Sequence, residues 1–403
     1  MSPYTPFLKR ETRSSSVLAY LPADFFPTER DFAMGFEWLG VEPKDITRIA
    51  SDDHELHLSI ARADDLAPIV IRRVRAPPLE KHVLETMQLE GEEQVAELAR
   101  SVWALKVTLP FTSMPIADLH EQLQYAYGLV LDFIAVLDVS AQKVRSATWV
   151  EEAAMSMVPP PPQALFTIHA LHQPDGTYWL HTHGLERCAC IELEMHSVPE
   201  DKVGRAVGLI NTIAPGFIEH RPAAGTPFPL SELVSMTWQP WESSTQNLYG
   251  RTPDHQGPAA VLTLADGRPA FEGLDAFEAS KTVSGSQMGT ARASMLAKET
   301  FEQFVALHEH FAKDPGWFFR VKLAPRDGLN QSLWFTFEGF KDPVIDATLL
   351  DTPLRGVAMS PGTRMKRPFD ELVDWSLRSP LGPCQPDGIN DFEAALHDVL
   401  TKP

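Results

Sequence analysis

Apolar and polar positions alternate in short runs through the first part of the chain. V-L-A-Y-L-P at 17–22 reads as a short strand, H-E-L-H-L-S-I at 54–60 as a half-buried one, and A-P-I-V-I-R-R-V at 67–74 as a further β-rich run. Thr28 is placed to cap a helix through Phe32, Met34, Phe36 and Leu39. From Pro78 the pattern changes to alternating helices and strands. Residues 79–101 read as one or two helices, 102–111 alternate as a strand, and 116–127 carry Leu119, Leu123 and Ala126 at helical spacing. The continuous apolar run 129–139 suits a central strand. Ser146 can cap a helix through Trp149, Ala153 and Met157, which the prolines at 159–162 end as a rigid turn. Strand patterning resumes at 164–171 and leads into Y-W-L-H-T-H-G-L-E-R-C-A-C-I-E-L-E-M-H at 178–196; Pro199 then opens a helix ending near Pro215-Gly216.

Residues 222–290 are the least regular, apart from a strand predicted in G-P-A-A-V-L-T-L at 257–264. The run T-V-S-G-S-Q-M-G at 282–289 lacks the G-K-[ST] ending of a phosphate loop and has no strand before it, so it reads as a joint. An amphipathic helix at 293–311 presents Phe301, Phe304, Val305, His308 and Phe311 on one face, and strands are expected at 317–323, 332–340, 344–350 and 363–368. A last short helix spans 392–400.

These patterns predict an α+β, multidomain chain with mixed or antiparallel sheets and helices packed on them. Its expected parts are an N-terminal α/β segment (1–78), a middle α+β domain (79–221), an irregular connecting segment (222–290), a small C-terminal domain (291–380) whose bent sheet carries one long helix, and a tail (381–403).

Composition narrows the partners. With 44% hydrophobic and 22% charged residues the chain is globular, and its formal charge of -19 argues against nucleic acid or an anionic membrane as partner. Residues 292–378 hold twelve Lys or Arg and twelve Asp or Glu, so the acidity lies before them. Three cysteines make no disulfide framework, and no apolar run reaches transmembrane length. A cytoplasmic protein is expected, with another protein as its partner.

The chemistry concentrates in 178–196, which holds two of the three cysteines and three of the fourteen histidines. If 178–183 and 188–196 are strands joined by Gly184-Leu185-Glu186-Arg187, His183 faces Cys188 and His181 faces Cys190. His181, His183, Cys188 and Cys190 then form a zinc-type ligand set. The competing reading has no cofactor: His183-Gly184 are turn residues and Glu192, Glu194 and His196 lie on a wet face. Candidate binding residues are His181, His183, Glu192 and Glu194, with Trp334, Asp374 and Trp375 in the C-terminal part. No nucleophile elbow is present.

Two stretches resemble bacterial domains of unknown function. In 100–215 the resemblance rests on the strand at 129–139, S-A-T-W-V-E-E-A, H-T-H-G-L and E-L-E; in 290–378 it rests on Phe301 and Phe304, F-F-R-V-K, S-L-W-F-T-F, D-A-T-L-L-D-T-P and E-L-V-D-W. The second is similar to a small domain of a bacterial lipoprotein-like family. The first implies a multidomain bacterial protein of polymorphic-toxin neighbourhoods, and its pattern lacks the C-A-C. A non-catalytic, protein-binding factor of the immunity or accessory type is therefore expected; the alternative is a metal-assisted hydrolase centred on residues 181–194.

Overall fold

The strand β1 (Ser14–Tyr20) is buried along most of its length because it runs between two partners in a sheet. The computed structural model describes residues 13–26, 28–51, 56–62, 66–79, 92–243, 248–251, 258–280, 285–324, 332–351 and 360–401, which form two compact units, Met1–Gln287 and Met288–Pro403. Most of the helix expected at 79–101 lies outside the described residues, which retain Glu92–Arg100 of it.

In the first unit β1 is joined by β2 (Ile46–Ser51), β3 (Leu56–Ile60), β4 (Ile69–Arg75), β5 (Trp103–Pro110), β6 (Ala135–Asp138) and β7 (Lys143–Ser146) in an antiparallel sheet of order β2-β3-β4-β5-β1-β6-β7. The boundary expected at 78 therefore runs through a sheet: β5 inserts between β4 and β1 and buries Leu105, Val107 and Leu109. The helix Pro115–Leu129 packs on β5 and β1 through Leu119, Leu123 and Ala126, and its buried Gln122 donates to the carbonyls of Ser15 and Val107, both at 3.0 Å. The apolar run 129–139 is divided: Leu129 ends this helix and only Ala135–Asp138 is strand. Short helix Ala33–Trp38 crosses the end of Pro115–Leu129 so closely that a Cβ on Gly35 would lie 2.0 Å from the Gly128 carbonyl oxygen. Ser146 caps Ala147–Met155 as expected, accepting from the Trp149 N–H at 3.2 Å.

The second sheet contains β8 (Thr167–His172), β9 (Tyr178–His183), β10 (Glu192–Val198), β11 (Phe228–Pro229), β12 (Ser235–Pro240) and β13 (Ala259–Leu264) in the order β11-β12-β13-β10-β9-β8. Only β10 and β13 run parallel within it. The segment expected to be irregular thus supplies half of this sheet, because apolar Ala259, Ala260 and Leu262 extend the buried surface begun by β10. The helix Val203–His220 covers β10 and β8 and runs through Pro215 rather than ending there. Ala214, Pro215, Phe217 and Ile218 are all buried, and that packing offsets the roughly 3 kcal/mol an internal proline costs.

In the second unit β14 (Phe318–Leu323), β15 (Leu333–Lys341), β16 (Val344–Leu349), β17 (Arg364–Pro368), β18 (Leu372–Ser379) and β19 (Gly382–Cys384) form an antiparallel sheet of order β17-β16-β15-β14-β18-β19. Phe301, Phe304, Phe319, Phe335, Phe337 and Trp375 fill its core. The single helix expected across it is two, Gln287–Glu299 and Phe301–Phe311, divided at Thr300. The Trp375 indole N–H donates into that break, to the Ala297 carbonyl at 3.2 Å and the Thr300 hydroxyl at 3.1 Å. Among the described residues no helix is long and apolar enough to cross a membrane.

Candidate functional site

The chain leaves β9 at Gly184, whose φ of +116° suits glycine and whose added Cβ would lie 2.4 Å from the Leu165 carbonyl oxygen. A 3-10 turn, Leu185–Cys188, follows, and strand pairing resumes only at Glu192. The cross-strand partner of His181 is consequently Glu194 rather than Cys190, and the four-residue loop of the sequence reading is replaced by an eight-residue connection, 184–191. The expected His181, His183, Cys188 and Cys190 ligand set does not form. Cys188 and Cys190 are buried, the latter with its Sγ 3.9 Å from the Phe217 carbonyl oxygen. Burial pushes the Cys188 thiol up to about 12, against the pull of nearby Arg187, and raises the Cys190 thiol as well, against that of Arg221, so neither is a thiolate near neutrality.

The structure brings a different third group to the histidines. β8 pairs with β9 so that His169 lies opposite His181, while His183, two residues along, shares their face. One ring nitrogen from each of His169, His181 and His183 lies within 4.8 Å of the others. Their ring centroids are 4.8 to 5.5 Å apart, and Trp179 stacks on His181 at 4.1 Å with an interplanar angle of 26°. His181 and His183 are buried and His169 is half-buried.

His181 and His183 open onto a polar cavity of about 330 Å³, also lined by Arg13, Thr182, Gly184, Glu186, Arg187, Glu192 and Glu194. Its charges are fixed by partners. Arg13 pairs with Glu186 at 2.7 Å, and Arg187 meets both oxygens of Asp138 on β6 at 2.9 Å while donating to the Leu165 and Ala164 carbonyls. Arg251 reaches both oxygens of Glu194, at 2.5 and 2.6 Å, and His196 Nε2 lies 2.8 Å from the same carboxylate.

Glu192 is held by neutral donors instead: the Thr182 hydroxyl at 2.6 Å, the Gly184 N–H at 2.9 Å and the Glu186 N–H at 3.1 Å. Burial pushes its carboxyl up to about 7, with a smaller push from the Glu186 charge; those three hydrogen bonds act in the other direction. The expectation of a wet face for Glu192 and Glu194 is therefore corrected. Glu194 is buried and ion-paired, and Glu192 closes the turn while lining the cavity.

The remaining candidates belong to the second unit. Trp334 is half-buried beneath Arg320, whose guanidinium lies 4.2 Å from its ring. Trp375 is fully buried in the core, and burial raises the Asp374 carboxyl above its ordinary value although it accepts from the Trp375 N–H at 2.8 Å.

No curated protein and no solved structure matches the chain. Two family models do: the N-terminal domain of a protein of unknown function (DUF4026) over residues 33–160, and the C-terminal domain of the same family over residues 168–263. The second contains all three clustered histidines. Both end before the C-terminal stretch at 290–378, so the resemblance read there has no counterpart in these two matches. The chain belongs to the DUF4026 family of proteins of unknown function, carrying its N-terminal and C-terminal domains in succession.

Proposed function

We propose that this chain is a metal-dependent hydrolase whose centre is His169, His181 and His183. The carrying observation is that three imidazole nitrogens from two neighbouring strands converge within 4.8 Å, and that two of these histidines, His181 and His183, line a polar cavity. Three histidines leave a fourth position for water or substrate on zinc or a similar divalent ion, which would polarise a carbonyl or phosphoryl oxygen and acidify bound water. Glu192 suits the role of general base. Its carboxylate would take the proton the attacking water loses and return it to the leaving group, a task for which a pKa near neutrality is suited.

The test is metal analysis of full-length protein purified without a polyhistidine tag. One zinc per chain is expected, lost in His183→Ala and retained in the Cys188→Ser/Cys190→Ser double variant. Zinc-free wild type that also fails to bind added zinc or cobalt rejects the proposal. The second reading is a non-catalytic factor that binds another protein, supported by the formal charge of -19, which suits a basic partner. It would leave a metal-free protein that still captures a partner. The buried, unbridged thiols of Cys188, Cys190 and Cys384 favour a reducing compartment such as the cytoplasm under either reading.

A further inference from the structure

Glu194 is the carboxylate directly opposite His181 across the β9–β10 ladder, and directly opposed residues have Cβ atoms about 4.5–5.5 Å apart on one face. Both residues line the same cavity. A buried carboxylate opposite one of three clustered imidazoles has the chemistry of a fourth metal ligand.

Here it is engaged elsewhere. Both Glu194 oxygens accept from Nη2 of Arg251, and His196 holds one of them as well. Arg251 does not come from the sheet. It arrives from the segment 248–251, where buried Gln173 clamps Tyr249 by accepting from its N–H at 2.8 Å and donating to its carbonyl at 3.1 Å. The Arg251 guanidinium is then set over two rings, 4.2 Å from Trp241 and 4.9 Å from Trp179, the ring stacked on His181. Two rings, a carboxylate and a clamped backbone thus converge to place one cation at the edge of the histidine cluster.

Building on the metal reading above, we propose that Arg251 is a positioning residue that keeps Glu194 off the metal, so that the fourth coordination position stays open. Withdrawal of the guanidinium frees Glu194 to close the site as its fourth protein ligand. Segment 248–251 thereby sets whether the centre is open, as in a catalytic site, or closed, as in a structural one.

Cobalt(II) substitution of the untagged full-length protein, titrated with azide, tests this. Wild type is expected to bind one cobalt per chain and to change its visible spectrum when azide enters the open position. Arg251→Met should bind cobalt at least tenfold more tightly with a spectrum that no longer responds to azide. Adding Glu194→Gln to it should restore the response, and Arg251→Lys should behave as wild type. An azide response undiminished in Arg251→Met overturns the inference, as does a double variant that stays unresponsive. Glu194→Gln alone, with the arginine in place, should leave cobalt affinity within threefold of wild type; a tenfold loss would mean that Glu194 is already a ligand and would also overturn it. Failure of wild type to bind cobalt or zinc at all rejects the underlying metal reading, a result distinct from a bound metal that ignores Arg251.

Discussion

Replacing Arg187 by Met should uncouple the two sheets of the first unit. The residue is 2% exposed and its guanidinium ties the turn after β9 to β1 and β6. It meets both oxygens of Asp138 at 2.9 Å, the Ser15 hydroxyl at 3.3 Å and the carbonyls of Leu165 at 2.5 Å and Ala164 at 3.3 Å. Methionine preserves the apolar stem and removes every donor. Asp138 keeps the Ala141 N–H at 3.1 Å and loses the cation in contact with it. Breaking a buried pair from one side costs about 3–5 kcal/mol. Taking about 4 kcal/mol, amide exchange limited by opening of this unit should accelerate on the order of 10³-fold. Hydrogen–deuterium exchange with mass spectrometry reads this in peptides covering β1 and β6, while peptides of β14 and β18 in the second unit serve as internal control. Asp138→Asn added to Arg187→Met should recover part of the loss by removing the stranded charge. An acceleration below about tenfold in β1 and β6, equivalent to about 1.4 kcal/mol, would refute the reasoning.

Other substitutions probe single features. The Glu192 carboxyl has a folded-state pKa raised to about 7 from 4.5, so its stabilising contribution is complete below about pH 4.5 and is lost as pH rises through 7. Urea titrations at pH 5 and pH 8 should show wild type losing up to about 3 kcal/mol relative to Glu192→Gln over that interval; parallel pH profiles would contradict the assignment. Gly184→Ala forces a Cβ against the Leu165 carbonyl at a positive φ and should cost about 2 kcal/mol or more, seen as a lowered denaturation midpoint. In the second unit Trp375→Phe retains the ring packing and removes the donor to Ala297 and Thr300. Amide exchange in peptides spanning residues 296–304 should rise about tenfold, for a loss of about 1–2 kcal/mol.

The α+β class and most elements could be read from periodicity, because alternation in β5 and helical spacing at Leu119, Leu123 and Ala126 report burial directly. Two of the three clustered histidines were legible in the same way: His181 and His183 share a strand face in any register. Their third partner was not, because membership in the cluster depends on which strand lies beside β9. The signal was nonetheless present. Asp175-Gly176 is turn chemistry between 164–171 and 178–183; Gly176 has φ +83° and Asp175 accepts from the Thr177 N–H. Joining those strands through that turn places His169 opposite His181. The cysteines leave the expected strand face for the opposite reason. Continuous strand from 188 looks reasonable in sequence, and the turn that displaces it is closed by hydrogen bonds from the Gly184 and Glu186 N–H groups to a side chain, Glu192, which periodicity does not report. Likewise the pairing of β13 with β10 joins residues more than sixty positions apart, beyond the reach of any local pattern.

The origin of the groups at the centre also imposes an order in time. During synthesis from the N-terminus the three imidazoles, at 169, 181 and 183, leave the ribosome before Glu194, and Glu194 leaves before Arg251 and the β13 strand that flanks β10. For an interval the nascent chain holds all three histidines and the carboxylate without the guanidinium that later occupies it.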